Sequence, residues 1–222
     1  IGMFLDTNAL LYILDKRDGD RDLPDKKIDL LDPYYAKYFA KALIDYFSLV
    51  PPEFVAQIDS QPIVVTYNTE HISGYGAWTF AFLEQMFAHY FGGKKPFLIV
   101  NNDWKLPPAD EKKFFAAKNS WGAALHGPYV GYEGGIVASV GPGYDESRIS
   151  GRIGRKRDRR GGETFINDLG VVTQSDIFKN VRMVMLETWN EFFEGTAIDL
   201  TQEYGDLYLR MAKAFISYWK TL

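Results

Sequence analysis

At 222 residues, with 46% apolar and 16% aromatic side chains, the chain is long enough to bury one large core or two small ones. A formal net charge of −4 argues against a general nucleic-acid binder, and the lack of cysteine removes disulfides, thiolate metal sites and cysteine nucleophiles together. No apolar run reaches the roughly 18 residues that span a bilayer, and no signal-peptide pattern is read.

The first element predicted is a strand over Gly2–Leu5, followed by the polar Asp6, Thr7 and Asn8. After the loop "RDGDRDLPDKK" comes a helix over Tyr35–Val50, with Tyr35, Phe39, Ala42, Leu43 and Tyr46 on one face. A second strand, Ile63–Thr66, leads into Tyr67, Asn68 and His71, and a helix follows over Trp78–Phe91. The third strand, Phe97–Val100, ends in Asn101, Asn102, Asp103 and Trp104. The fourth, Ile136–Val140, runs into Pro142, Tyr144 and Asp145. Next is "GRIGRKRDRRGG", a loop of six basic residues and one acid, and then a weaker helical pattern over Glu163–Phe178. The fifth strand, Met183–Leu186, opens onto Trp189, Asn190 and Glu191, and a helix over Tyr204–Leu222 closes the chain.

These strands are continuous apolar runs, the pattern of parallel strands buried on both faces. Strand alternating with helix allows an open doubly wound sheet or a (β/α)8 barrel. No glycine-rich phosphate turn follows any strand, which weakens the nucleotide-binding sheet. Polar and aromatic residues follow all five, the arrangement by which barrel enzymes build sites at the C-terminal ends of their strands. The expectation is therefore a single-domain (β/α)8 TIM barrel over residues 1–222. Only five of its eight units are visible, so two or three N-terminal βα units are expected to precede this segment.

The chemistry concentrates in "TWNEFFEG". Glu191 and Glu194 lie three apart, a spacing that shares one face if the chain turns helically beyond the strand. Glycosidic cleavage needs two carboxyl groups about one bond, one donating a proton and the other serving as base or nucleophile. A pair of solvated acids in a first helical turn is the bland alternative, which the flanking Trp189, Phe192 and Phe193 disfavour. Sugar rings stack on aromatic planes while amides, acids and imidazoles bond their hydroxyls. Asp6, Tyr67, Asn68, His71, Asn102, Trp104, His126, Tyr144, Asp145, Trp189 and Asn190 are thus the candidate substrate contacts. His71 and His126 belong to no paired metal spacing, and no GxSxG elbow is present, so neither zinc nor a serine nucleophile is expected. The basic loop reads as a mobile surface segment, or as one supplying an arginine to a ligand.

"TWNEFFEGTAID" resembles the "NEWxEGTxIE" segment of glycoside hydrolase family 99, the endo-α-mannosidase group, and its bacterial barrel relatives. "ASVGPGYDES" is similar to the family's "PGYD" segment one strand earlier, and "YGDLYLRMAKAF" to its closing helix. The resemblance implies a (β/α)8 barrel that cleaves internal α-mannosidic bonds with retention and without metal. It assigns Glu191 as base on the neighbouring sugar hydroxyl and Glu194 as the acid that protonates the leaving oxygen. Phe192, Phe193 and Asp199 stand where the family carries Trp, often His, and Glu. An α-glucan-cleaving barrel and a catalytically inactive carbohydrate-binding barrel are the alternatives. The expected partner is an oligo- or polysaccharide, with no cofactor, nucleic acid or membrane span. Secretion or periplasmic location is expected from that substrate class.

Overall fold

A computed structural model describes residues 3–5, 27–130, 135–174 and 176–221. They fall into two compact units, one up to Lys118 and the other from Asn119.

In the first unit β1 (Met3–Leu5), β2 (Ile28–Asp29) and helix α1 (Pro33–Leu49) are followed by β3 (Gln57–Ile58), β4 (Gln61–Thr66) and β5 (Ile72–Gly74). Helix α2 (Ala77–Tyr90), β6 (Phe97–Asn101), helix α3 (Pro108–Phe114) and β7 (Ala117–Asn119) complete it. The main sheet runs β1-β4-β6-β7, with β1 and β6 both parallel to β4. Every residue of β6 and all but the first of β4 is buried, as continuous apolar runs require. Asp32 caps α1 by accepting the Tyr34 N–H at 2.8 Å, and Pro33 supplies a φ suited to the first turn. Its apolar stripe of Ala36, Phe39, Ala40, Leu43, Ile44 and Phe47 is buried. Phe39, Leu43 and Phe47 share a core with Val64, Leu98, Phe80 and Phe87. Each such side chain contributes about 1.5–3 kcal/mol of burial free energy.

The second unit comprises the short helix α4 (Ala123–His126), β8 (Tyr129–Val130), β9 (Val137–Val140), the pair β10 (Tyr144–Asp145) and β11 (Lys156–Arg157), helix α5 (Glu163–Gln174), β12 (Met183–Leu186) and helix α6 (Leu207–Trp219). Strand β12 lies parallel to β9, Met183 opposite Val137 and Leu186 opposite Val140, with β8 antiparallel on the other side. Phe165, Leu169 and Val172 of α5 and Tyr208 and Ala212 of α6 bury against Ala138 and Val140.

The predicted strands all appear within two residues of their expected bounds. The Glu163–Phe178 pattern resolves into α5 and a separate 3-10 turn at Asp176–Phe178. The elements not expected are the short strands β2, β3, β5, β8, β10 and β11, the short helix α4, the mostly charged α3, and β7, whose Lys118 and Asn119 interrupt any apolar run. The architecture is α/β with parallel strands, and the described strands do not close into a barrel. Among the described residues no helix is long and apolar enough to cross a membrane.

Candidate functional site

Beyond Leu186 the chain forms a tightly bonded loop rather than a helical turn. Thr188 donates its N–H to Thr196 O at 3.1 Å and its hydroxyl lies 2.8 Å from that of Thr196. Ile198 and Asp199 donate back to Thr188 O and Trp189 O, each at 3.0 Å, so the loop returns beside its own entry. Gly195 has φ near +60°, a backbone conformation that suits glycine. Trp189, Phe192 and Phe193 are 57%, 53% and 82% exposed, a costly display of aromatic surface that a solvated turn does not need.

Glu191 is exposed, and its carboxylate meets no partner among the described residues. Glu194 is different. One of its oxygens, Oε1, is gripped by Arg152 Nη1, and its carbonyl accepts the Asp145 N–H at 2.8 Å. The same Nη1 donates to Tyr144 Oη at 2.9 Å and approaches Glu146 Oε2 at 3.3 Å. Glu146 is fully buried and accepts from Tyr144 Oη at 2.6 Å and from Arg155 Nε at 2.9 Å. The Arg155 and Tyr144 bonds hold the Glu146 carboxyl at about 2. Burial, followed by the Glu146 bond, raises the Tyr144 phenol. Asp145 is held at about 2 by its bonds to Ser147 and by Lys156, 3.0 Å away.

The basic loop is bound to acids and carbonyls throughout. Arg157 makes a two-bond fork to Asp168, both at 2.7 Å. Arg159 stacks over Tyr208 at 4.6 Å and donates to Gly195 O and, at 2.8 Å, to Ala197 O, which ties the glutamate loop to α6. Arg160 pairs with Glu163 at 2.8 Å. Beside this network lies a cleft of about 690 Å³, whose walls include Tyr144, Asp145, Arg148, Phe192, Gln202 and Tyr204. Its size falls in the range of small-ligand sites.

A third acid, marked by no sequence pattern, closes β12. Glu187, the residue after β12, is 1% exposed, and its Oε2 accepts the N–H groups of Gly122 at 2.9 Å and Ala124 at 3.3 Å. Burial pushes its carboxyl up to about 7 against the opposing pull of those bonds. Its position closing an apolar run concealed it, as did the distance in sequence of its partners.

The second unit thus gathers Tyr144, Glu146 and Glu194 around Arg152, with Asp145 bonded through its N–H to the Glu194 carbonyl and Trp189, Asn190 and Glu191 on the same loop as Glu194. His126 is exposed at the end of α4. Tyr67, Asn68, His71 and Asn102 belong to the first unit, after β4 and β6, and all four are half-buried. Trp104 is 0% exposed, packed against Tyr75, Phe80 and Phe39 with its indole N–H on Tyr67 O at 2.8 Å. It is a core residue here. Asp6 lies outside the described residues. Among the described residues no group of three His, Asp or Glu is placed to hold a metal ion.

No curated protein sequence matches the chain. Among solved structures it is similar to a glycoside hydrolase-like protein, at 17% identity and a TM-score of 0.59, over 83% of this chain and 62% of that one. It is also similar to the GH99 endo-alpha-mannosidase from Bacteroides thetaiotaomicron, in two structures. Both are 17% identical, with TM-scores of 0.59 and 0.57, covering 84% and 85% of this chain and 67% and 63% of those chains. The chain therefore spans less than two thirds of the first of these structures, and the likeness is one of fold. A family model matches residues 1–215, so the chain belongs to the family described as Domain of unknown function (DUF5010).

Proposed function

We propose that this chain is the greater part of a (β/α)8-barrel glycoside hydrolase domain that cleaves an α-linked glycan or polysaccharide, with a mannan-like substrate favoured. Glu191 is the base and Glu194 the proton donor. The observation that carries the reading is the loop after β12. It holds two carboxylates three residues apart, one exposed among aromatic side chains and the other with a single oxygen engaged, beside an open cleft. A likeness of fold to glycoside hydrolases supports it. Tyr144, Asp145, Trp189 and Asn190 shape the nearest sugar site; Asp6, Tyr67, Asn68, His71, Asn102 and His126 are proposed as further substrate contacts. Action on such a substrate goes with a secreted or periplasmic location.

The chemistry asked of the pair is proton transfer. In cleavage Glu191 takes a proton from a hydroxyl of the sugar at the scissile bond, and Glu194 gives one to the departing glycosidic oxygen. Each such transfer is worth about 10²–10⁴-fold in rate. The test is release of reducing ends from α-mannan and α-glucan by the purified protein, beside its Glu191→Gln and Glu194→Gln variants. Turnover in the wild type that both substitutions abolish supports the reading. Wild-type turnover retained in the Glu194→Gln variant removes the acid assignment. The Arg152 contact to Glu194 favours one rival, a barrel that binds carbohydrate without cleaving it. Saturable binding of these polysaccharides with no reducing ends released would establish that rival.

A further inference from the structure

The role of Arg152 follows from what stands behind it. Its Nη1 meets three oxygens at once: Glu194 Oε1, Tyr144 Oη at 2.9 Å and Glu146 Oε2 at 3.3 Å. Two of these are immobile. Tyr144 is 7% exposed and its hydroxyl donates to Glu146. Glu146 is wholly buried and clasped by the Arg155 N–H at 3.1 Å, Nε at 2.9 Å and Nη2 at 3.2 Å. The loop between Glu146 and Arg155 is thus pinned at its base, and Arg152 is braced from behind by groups with no freedom to move. Of the three, Glu194 is the most exposed, its side chain at 20%, with its backbone held through the Asp145 N–H. Glu194 Oε2 has no partner among the described residues, so one oxygen is tethered and the other is free.

We propose that Arg152 is a positioning residue for Glu194: the braced guanidinium fixes one carboxylate oxygen and thereby presents the other to the substrate. The inference rests on the proposed function for its catalytic meaning, though not for its geometry. A glutamate has three rotatable side-chain bonds, and a donor must lie within hydrogen-bond reach of the leaving oxygen. A tether at Oε1 removes most of the alternatives, and a displacement of about 1 Å costs about 10²-fold in rate. All three oxygens are met by the one nitrogen, so what holds Glu194 is a braced cationic donor rather than the two-pronged fork of arginine.

The experiment combines kinetics and crystallography on the full chain with Arg152→Gln, Arg152→Lys and, as a control, Arg160→Gln. Melting temperatures first establish that each variant folds; Arg152 is 41% exposed, so loss of its head group leaves no buried hole. The result expected for Arg152→Gln is a fall in kcat of about 10- to 100-fold with KM within about threefold. Arg152→Lys, which keeps a cationic donor of three N–H groups, should restore part of it, and Arg160→Gln should match the wild type. Crystals of Arg152→Gln should show the Glu194 carboxylate displaced or in several rotamers. A Glu194 carboxylate unmoved in that structure overturns the inference, as does a variant in which only KM rises. If the wild type cleaves no α-glycan, the proposed function fails, while the crystal structures still decide whether Arg152 positions Glu194.

Discussion

Glu187 Oε2 accepts the backbone N–H of Gly122 at 2.9 Å, joining the end of β12 to the first turn of α4 across 65 residues of sequence. The other oxygen, Oε1, is buried without a partner. Such a carboxyl is poised between two demands, since burial opposes ionisation and the N–H donors favour it. Burial prevails, and the group sits at about 7 instead of 4.5.

The folded protein therefore holds a proton on Glu187 that the unfolded chain releases near pH 4.5. Stability from this group is present in full below about 4.5 and is lost as the pH rises through about 7. The rise from 4.5 to about 7 corresponds to about 3 kcal/mol across that interval. Urea unfolding of the wild type and of Glu187→Gln at pH 4.5 and 8 measures it. The wild type should lose about 3 kcal/mol relative to the variant between those pH values. Parallel pH dependence of the two proteins would show that Glu187 binds its proton equally in the folded and unfolded chain, and would refute the argument.

Arg157 and Asp168 make the fork that binds β11 to α5, and Asp168 is 4% exposed. Its carboxyl is raised by burial even with the guanidinium beside it. Removing the arginine strands a buried acid, so Arg157→Ala should cost about 3 kcal/mol or more at neutral pH. The double variant Arg157→Met, Asp168→Leu should recover most of that loss, because it buries no charge. Denaturant midpoints of the three proteins test the argument, and equal destabilisation by the single and double changes would refute it.

How far the fold could be read from sequence depends on which physical rule places each residue. β4, β6 and β9 were legible because strands buried on both faces are mostly apolar, and β12 carries the same apolar run although its residues are only partly buried. β7 was not, since Lys118 pays for its burial with an ion pair to Glu111 at 2.6 Å and Asn119 accepts the Ser139 hydroxyl at 2.6 Å. Those partners lie 7 and 20 residues away, and no local pattern announces them. The same limit hid Glu146 and Glu187, whose burial depends on distant backbone and arginines. The basic loop illustrates the converse. As a string it resembles a solvated arm, yet Arg152, Arg155, Arg157 and Arg159 each answer an acid or carbonyl elsewhere in the unit. Trp104 followed a strand among polar residues and so read as a sugar platform, but its neighbours Phe39, Tyr75 and Phe80 enclose it.

That enclosure gives a direct contrast. Trp104→Ala opens a cavity in the first unit and leaves the Tyr67 carbonyl without its donor, for a loss of about 3–5 kcal/mol. Phe193→Ala removes an aromatic that is 82% exposed and should change stability by less than about 0.5 kcal/mol. On the proposed function the ranking reverses for binding, since Phe193 flanks Glu194 and Trp104 touches no ligand. Thermal unfolding together with polysaccharide affinity separates the two. A Trp104→Ala protein as stable as the wild type would contradict the packing described here.

Gly141, immediately after β9, makes the last case. A Cβ placed on it would lie 2.4 Å from Ala124 Cα and 2.8 Å from Ala124 N, far inside contact distance. Both obstacles are backbone or a methyl group, so no flexible side chain can swing aside. Ala124 also donates its N–H to Glu187, so pushing α4 away from β9 loosens the carboxyl's support as well. Gly141→Ala should cost at least the about 1–3 kcal/mol typical of overpacking. It should also alter the pH dependence of stability that Glu187 imposes, because a displaced Ala124 N–H no longer opposes the burial that raises the group. With that donor lost, the loss of stability should begin at the same pH but continue to a higher pH than in the wild type. Unfolding curves of Gly141→Ala at several pH values between 4.5 and 9 would show both effects. A destabilised variant whose pH profile still overlays the wild type would mean that strain stays at β9 and never reaches Glu187.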